Sequence, residues 1–485
     1  MSNQRMGPAA CQTENTDLSG QPRSPIVQTF AASEAYRAEI HTLIPGGAHT
    51  YSRGDDQFPS LAPAAFVRGS GSRIWDIDGN EFVDCSMALG SVSLGYAYEP
   101  VLDAVRVQLA HGAGFPRPAS IERDFAREFI AECPGAERVR FAKNGSTVTT
   151  AAVKLARAHT GRDMVAFTKN HPFYSFDDWF IGTTPCSSGI PEAIANLSVC
   201  YDSSDPDSLR QLFRQFPDKI ACVVTEPCDL VPLTRPVLQD VAHISREHGA
   251  VFIADEMLSG YRAGWPGACK SMGVVPDLTA WGKAIGNGFS ISALTGRAEI
   301  MDLGGTQQRS APRVFLMSST HGGETHSIAA ARAVLRAYKT LDVLGHQRRI
   351  VASVAAGMRD AITTNDLSKS IQLNASDWRL YVTCRNDDGT DSPARRTFLM
   401  QEMIRRGILF QSVFLPTYSH TSEDVVAIIQ AFRESCAAYR SALCAGGALP
   451  LVGSPVRPVF RKYNGCLQVC EHDPCPLDFS CRVRQ

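Results

Sequence analysis

Ala250-Val251-Phe252-Ile253-Ala254-Asp255-Glu256 is an unbroken apolar run that ends in two carboxylates. A strand with a polar face alternates; a run without alternation suits a strand covered on both sides. Working outward, short runs of the same kind recur at Arg138–Ala142, Met164–Phe167, Ile220–Thr225, Leu278–Trp281 and Ser292–Thr295. Between them lie segments of helical spacing. Thr147–His159 puts Ala152, Leu155 and Ala156 on one face and stops at Gly161; Ser208–Gln215 and Leu238–His248 follow. Strands alternating with helices predict an α/β fold with a largely parallel sheet between helices.

The flanks read differently. An amphipathic helix from Ala32 ends at Pro45-Gly46-Gly47, and strands are expected at Ala65–Val67, Arg73–Asp76 and Glu81–Asp84, with Asp78-Gly79 as a hairpin signal. Beyond Thr325 the composition turns helical at Ser327–Thr340 and Gly345–Thr364. A strand near Leu380–Cys384 and helices near Thr397–Arg406 and Ser422–Ser441 complete it. The expected plan is a disordered arm at 1–28, the first part of a small domain at 29–85, and a large domain at 86–335. The small α+β domain resumes at 336–464, so both chain ends build it, and 465–485 is a cysteine-rich tail.

Composition bounds the function. With 485 residues, 44% hydrophobic and 20% charged, the chain is neither wholly disordered nor fibrous. Lys plus Arg is 48 against 49 Asp plus Glu, a net charge of −1, so no global basic field recruits nucleic acid or an anionic membrane. No apolar stretch approaches the ~20 residues of a membrane span. The first thirty residues lack a basic-then-apolar signal pattern and include Glu14 and Asp17, which predicts a cytoplasmic protein. Of the 15 cysteines most are scattered, as small buried hydrophobes are. Cys466, Cys470, Cys475 and Cys481 crowd the tail around His472 and Asp473, but no CxxC pair occurs. The tail is read as carrying free or redox-active thiols, with no metal site.

Three elements carry chemistry. Ligands of open parallel sheets gather outside the carboxyl ends of strands, and Asp255 stands at one such end, where a carboxylate can hold a proton on a heteroaromatic nitrogen. Trp281-Gly282-Lys283-Ala284-Ile285-Gly286-Asn287-Gly288 places a lysine among small residues after a short strand. Burial lowers a lysine's pKa and suits its amine to Schiff-base formation. Lys143-Asn144-Gly145-Ser146-Thr147 opens a helix with a glycine, hydroxyls and unpaired N–H groups, the makings of a phosphate site. A phosphate cradle, a strand-end aspartate and a shielded lysine, in that order, suit pyridoxal 5′-phosphate.

On these residues the sequence resembles the class III, fold-type I pyridoxal-phosphate aminotransferases, in their glutamate-1-semialdehyde aminomutase-like branch. The resemblance runs from about Ile44 to Asn464. It rests on Ile44-Pro45-Gly46-Gly47, Trp75-Asp76-Ile77-Asp78-Gly79, Asn144-Gly145-Ser146, Leu155-Ala156-Arg157, Thr225-Glu226-Pro227, Asp255-Glu256-Met257, Pro276-Asp277-Leu278 and Gly282-Lys283. It implies a large domain with a mostly parallel seven-stranded sheet and a small α+β domain. It also implies that Lys283 forms the Schiff base and shuttles protons, that Asp255 pairs with the pyridine nitrogen, and that Gly145 and Ser146 bind the phosphate. Phe173 falls where an aromatic ring stacks on the cofactor, and Tyr174 replaces the usual histidine beside substrate. Glu226 lines the site. Arg53 lies where the aminomutase binds the substrate carboxylate. Thr320, in Ser318-Ser319-Thr320-His321-Gly322-Gly323-Glu324, matches a threonine lent to the neighbouring subunit, so a homodimer with active sites at its interface is implied.

The sequence also departs from that branch. Leu89 stands where the aminomutase has tryptophan, Ala-Ile-Gly-Asn-Gly follows Lys283 in place of three glycines, and Thr147 replaces an acidic residue. The expected activity is amino-group transfer between a small amino donor, carrying a carboxylate, and a carbonyl acceptor. The same lysine and aspartate would serve racemisation, decarboxylation or carbon–carbon bond formation, and a non-catalytic scaffold is a further alternative.

Overall fold

The computed structural model describes residues 29–169, 173–227, 234–307, 312–446 and 448–466. The expected arm at 1–28 and the tail beyond Cys466 lie outside them.

Seven strands form the central sheet in the order Arg138–Ala142, Ser292–Gly296, Leu278–Trp281, Val251–Glu256, Ile220–Thr225, Met164–Thr168, Ser198–Tyr201. The last five run parallel, and Ser292–Gly296 is antiparallel to both its neighbours. The lack of alternation in the Val251–Glu256 run now has its cause. Val251 and Ile253 pack on one side with Val148, Leu155 and Ala156 of the helix Gly145–Thr160. Phe252 and Ala254 pack on the other with Leu238, Val241 and Ala242 of the helix Arg235–Glu247. Each large apolar side chain buried in this way contributes about 1.5–3 kcal/mol, so neither face tolerates a polar residue until the strand leaves the helices.

Two smaller sheets stand apart from the seven strands. Phe66–Ser70, Arg73–Asp76 and Glu81–Asp84 form an antiparallel meander, and Ile408–Leu409 joins it parallel, with Ile408 opposite Val83. Residues from the two flanks of the chain therefore share one sheet. Gly79 turns the hairpin at φ +86° and Asp76 Oδ1 accepts from Asn80 N at 2.7 Å. The second sheet, Ile371–Ala375, Leu380–Cys384 and Val413–Phe414, shares a core with the helices Val343–Thr364 and Ser422–Cys444 through Val354, Met358, Ile428 and Phe432.

Most expected elements stand within a few residues of their predicted bounds. The helix expected from Thr147 begins at Gly145, because Asn144 caps it by accepting from Thr147 N at 2.9 Å. The edge strand Ser198–Tyr201 is short and half exposed, so it lacked the apolar signature of its neighbours. Among the described residues no helix is long and apolar enough to cross a membrane.

Candidate active site

Parallel strands put their carboxyl ends on one edge, and three of the predicted residues meet there. Asp255 is the fifth residue of its strand and Glu226 follows Ile220–Thr225 directly; both are buried. Lys283 opens a short 3₁₀ turn, Lys283–Gly286, just past Leu278–Trp281. Its backbone is left-handed, with φ +47°, a conformation a residue with a Cβ adopts only when its surroundings hold it there.

Those surroundings are visible. Asn287, also left-handed at φ +44°, accepts from Ser93 N at 3.0 Å and Leu94 N at 2.8 Å through Oδ1, and donates to Gly95 O at 3.0 Å. Gly288 N donates to Ser91 O at 3.0 Å. Trp281 is fully buried and donates from Nε1 to Thr295 Oγ1 at 2.8 Å. The lysine is thus clamped between a buried strand and a loop hydrogen-bonded to residues 91–95. Its side chain keeps access to solvent, while its neighbours Gly282, Ala284 and Ile285 are buried. Desolvation consequently pushes the amine below lysine's usual value. Glu226 and Asp255 oppose that shift, and the Arg262 and Arg379 cations reinforce it.

The phosphate-like loop converges on the same place. A Cβ on Gly145 would lie 2.8 Å from Met257 Sδ, and one on Gly282 would lie 2.5 Å from the same sulfur. Met257 follows the Asp255–Glu256 pair and donates its N–H to Asp255 Oδ1 at 2.9 Å. The helix start, the aspartate strand and the lysine loop therefore share one side chain, and only glycine fits at both contacts. Ser290 Oγ also donates to Lys143 O at 2.7 Å. With Asn144 capping Thr147, helix geometry leaves the N–H groups of Gly145 and Ser146 outside the intrahelical ladder. Ser146 Oγ accepts from Phe176 N at 3.1 Å, tying this start to the Phe173–Asp177 segment.

Asp255 and its neighbour Glu256 have separate fates. A strand sends successive side chains to opposite faces. Glu256 points to the Phe252 side, where Ser259 Oγ (2.5 Å), Cys269 N (2.8 Å) and Ala268 N (3.1 Å) all donate to it. Burial raises its pKa and those donors oppose the rise. Glu256 is a structural clamp on the 256–269 loop; Asp255 faces the lysine.

The remaining predicted residues scatter. Phe173 is 45% exposed and meets Phe180 edge-on at 6.0 Å, so its ring is available to cover a flat ligand. Tyr174 corrects an expectation. It is 2% exposed, packs against Phe167, Trp179 and Phe180, bonds Thr168 Oγ1 through its hydroxyl, and accepts from Glu226 N at 3.3 Å. An aromatic ring committed to the core supports the backbone of Glu226 and has no face left for substrate. Thr320 is exposed, in a segment whose Ser318, Ser319, Gly322 and Gly323 border a cavity of about 590 Å³ shared with Lys143, Asn144 and Thr147. Arg53 is exposed at the end of the short turn Tyr51–Arg53, beside Arg37 and Asp55, and its charge acts on the Tyr96 phenol.

Residues to which sequence reading gave no role of their own include Met257, Asn287, Arg262 and Arg379. Arg262 is fully buried and donates to Pro416 O at 3.1 Å and Gly90 O at 2.7 Å. The carbonyl of Gly90 ends a run of four left-handed residues, Met87, Ala88, Leu89 and Gly90, with φ 47°, 52°, 58° and 78°. Asp84 holds its start by accepting from Ser86 N at 2.7 Å and Ala88 N at 3.3 Å. A carboxylate three residues ahead of Met87 was the only sequence signal for that turn. Cys466, the one tail cysteine within the described residues, is buried.

Comparison with known proteins agrees with this geometry. The chain matches the family Aminotransferase class-III over residues 51–374. It is 31% identical over 365 residues to the glutamate-1-semialdehyde 2,1-aminomutase of Roseiflexus castenholzii, covering 72% of this chain and 82% of that one. To glutamate-1-semialdehyde 2,1-aminomutase 2 of Anoxybacillus flavithermus it is 29% identical over 436 residues, 85% of this chain and 99% of the relative. Among solved structures, a glutamate-1-semialdehyde-aminomutase from Pseudomonas aeruginosa PAO1 in complex with PMP superimposes with a TM-score of 0.73 at 21% identity, over 84% of this chain and 94% of that one.

Proposed function

This chain belongs to the class-III aminotransferases, pyridoxal 5′-phosphate enzymes of fold type I, and we propose that Lys283 is the residue through which it moves an amino group from an amino compound to a carbonyl compound. The observation that carries the proposal is the meeting of a desolvated lysine in a strained turn with Asp255, Glu226 and a glycine-bearing helix start, all at one edge of the sheet.

The residues present fit the cofactor. An anion-binding helix start, an aromatic face at Phe173, a buried carboxylate and an amine with lowered proton affinity are the donor set that a phosphorylated pyridine aldehyde needs. Pyridoxal 5′-phosphate supplies, when bound, an aldehyde that takes up the amino group and a ring that accepts electrons. Gly145 and Ser146 hold the phosphate with their N–H groups. Asp255 keeps the proton on the ring nitrogen. Phe173 covers one face of the ring and excludes water from it. Lys283 Nζ, whose proton affinity desolvation lowers, takes the proton from the substrate carbon and returns it. Glu226 stands close enough to favour the protonated form of that amine.

We further read the protein as a cytoplasmic homodimer in which Thr320 of each copy reaches the phosphate of the other. Its exposure beside the open cavity supports this, since an exposed threonine in such a place is free to serve a second copy.

The test is a screen of amino acids and amines against the yellow holoenzyme, followed by bleaching of the visible band and by product mass. Amino transfer converts the band stoichiometrically and releases a carbonyl product. Lys283→Ala should keep bound cofactor without a covalent link and lose turnover by more than about 10³-fold. Substantial turnover in that variant, or a racemised product without bleaching, overturns the proposal.

A further inference from the structure

Past the helix Ser422–Cys444, residues 448–466 hold neither helix nor strand, yet they are bonded to distant parts of the molecule along their length. Leu449 and Leu451 pack on the core of the second small sheet. Gln401, on the helix Pro393–Arg405, donates from Nε2 to Pro450 O at 3.1 Å and accepts from Val452 N at 2.8 Å. Thr397, one turn earlier on that helix, accepts from Val456 N at 2.9 Å. Arg457 N then donates to Asp56 O at 2.9 Å, and Gln57 Nε2 donates to Arg457 O at 2.9 Å. Arg461 pairs with Asp56 Oδ2 at 2.6 Å and braces its own loop by donating to Pro458 O at 2.8 Å and to Asn464 O at 3.2 Å. Between these anchors stands Phe460. It packs on the core of the central sheet, with its ring 6.2 Å from that of Phe180 and edge-on to it at 76°. Beside it, Cys186 Sγ donates to Arg461 O at 3.4 Å.

Phe180 is buried and touches two rings: Phe460 of this strap and Phe173, whose centroid lies 6.0 Å away, again edge-on. Phe180 thus links the strap to the ring that covers the cofactor. On its other side the Phe173–Asp177 segment is tied to the phosphate-binding helix start, where Phe176 N donates to Ser146 Oγ. Close-packed interiors do not let one ring turn while its neighbours stay put, and an edge-on aromatic pair has a preferred geometry. We infer that Phe460 is a positioning residue for the cofactor. The strap, fixed at Thr397, Gln401, Asp56 and Gln57, presses Phe460 on Phe180, and Phe180 holds Phe173 at the angle that covers the cofactor ring. The inference rests on the placement of pyridoxal 5′-phosphate in the amino-transfer reading. A strap that only buried apolar surface would stabilise the fold and leave the cofactor's surroundings unchanged.

The experiment makes Phe460→Ala, Phe460→Tyr and Arg461→Ala in the full chain, each in the wild-type and the Phe173→Ala background, and loads every protein with pyridoxal 5′-phosphate. Two signals are read: visible circular dichroism per bound cofactor, which reports the asymmetry around the ring, and the first-order loss of the visible band on dilution. Phe460→Ala should lower the dichroism and speed the loss about fivefold, the worth of one aromatic edge contact. Phe460→Tyr keeps the ring and should stay within about 1.5-fold of wild type. Arg461→Ala frees the strap from Asp56 without touching the aromatic cluster, and should act in the same direction by about threefold. In Phe173→Ala neither alanine substitution should change the loss by more than about 1.5-fold, because the ring through which both act is gone. A Phe460→Ala protein that melts lower but keeps wild-type dichroism and cofactor loss would overturn the inference. So would an effect that persists undiminished in Phe173→Ala. Should Phe460→Ala fail to fold, Phe460→Leu and Arg461→Ala decide by the same two signals. A wild type that binds cofactor and follows this pattern but transfers no amino group would overturn the amino-transfer reading and support the role of Phe460; a wild type that stays colourless would overturn both.

Discussion

Glu256→Ala tests the division of labour between two adjacent carboxylates. In the wild type, Glu256 accepts from Cys269 N, Ala268 N and Ser259 Oγ at 2.8, 3.1 and 2.5 Å, all within the buried interior. The alanine leaves two backbone N–H groups and a hydroxyl without an acceptor, at about 1–3 kcal/mol for each buried donor. Part of this is returned, because the wild type bears the desolvation of Glu256, which raises its pKa. A net loss of about 2–4 kcal/mol follows, a drop of roughly 5–10 °C in the melting of the large domain. Glu256→Gln keeps one acceptor oxygen and should lose about half as much. The pH dependence has a definite sign. The folded-state pKa lies above glutamate's ordinary 4.5, so the folded chain binds more protons than the unfolded chain just above that pH. The contribution of Glu256 therefore falls as pH rises through that window, and the penalty of Glu256→Gln shrinks with it. Thermal scans of the holoenzyme at pH 4.5–8, read by near-UV circular dichroism with the visible band monitored in parallel, make the measurement. A Glu256→Ala protein that melts within 2 °C of wild type, or that stays folded but loses its colour and turnover, refutes the assignment of Glu256 to structure.

Gly282→Ala should press a methyl against Met257 Sδ, 2.5 Å away, and weaken cofactor binding about tenfold; Met257→Ala in the same chain should restore most of it, a non-additivity readable by cofactor titration. Tyr174→Phe should cost about 1 kcal/mol of stability by removing the hydroxyl that Thr168 and Glu226 share, and leave KM for substrate within twofold; a tenfold rise would return Tyr174 to the substrate. In the apo-protein, the lowered pKa of Lys283 means that the unfolded chain binds more protons between that value and 10.5. Stability should therefore rise with pH across this window, and denaturant midpoints of Lys283→Met should rise less. Asp255→Asn should leave melting nearly unchanged and reduce turnover by more than about 100-fold, since it removes the anion proposed to hold the ring proton.

What the chain stated unaided was periodic or consecutive. Continuous apolar runs at Val251–Ala254 and Ile220–Val224 mark strands because burial on both faces admits only apolar side chains. The small residues around Lys283 and the Asn144-Gly145-Ser146 start are legible because backbone conformation and close approach restrict residue type locally. Tertiary structure alone decided which of two neighbours is tied into the surrounding protein. Asp255 and Glu256 are equivalent in the sequence, as are Phe173 and Tyr174. Alternation guarantees that the carboxylates part, but not which face holds the loop that claims Glu256. Arg53 and Arg379 were likewise indistinguishable as letters. One lies exposed on a short turn and the other is stacked on Trp378 against a segment more than a hundred residues away, a contact set by how the two flanks of the chain fold back on the central sheet and written in no local pattern.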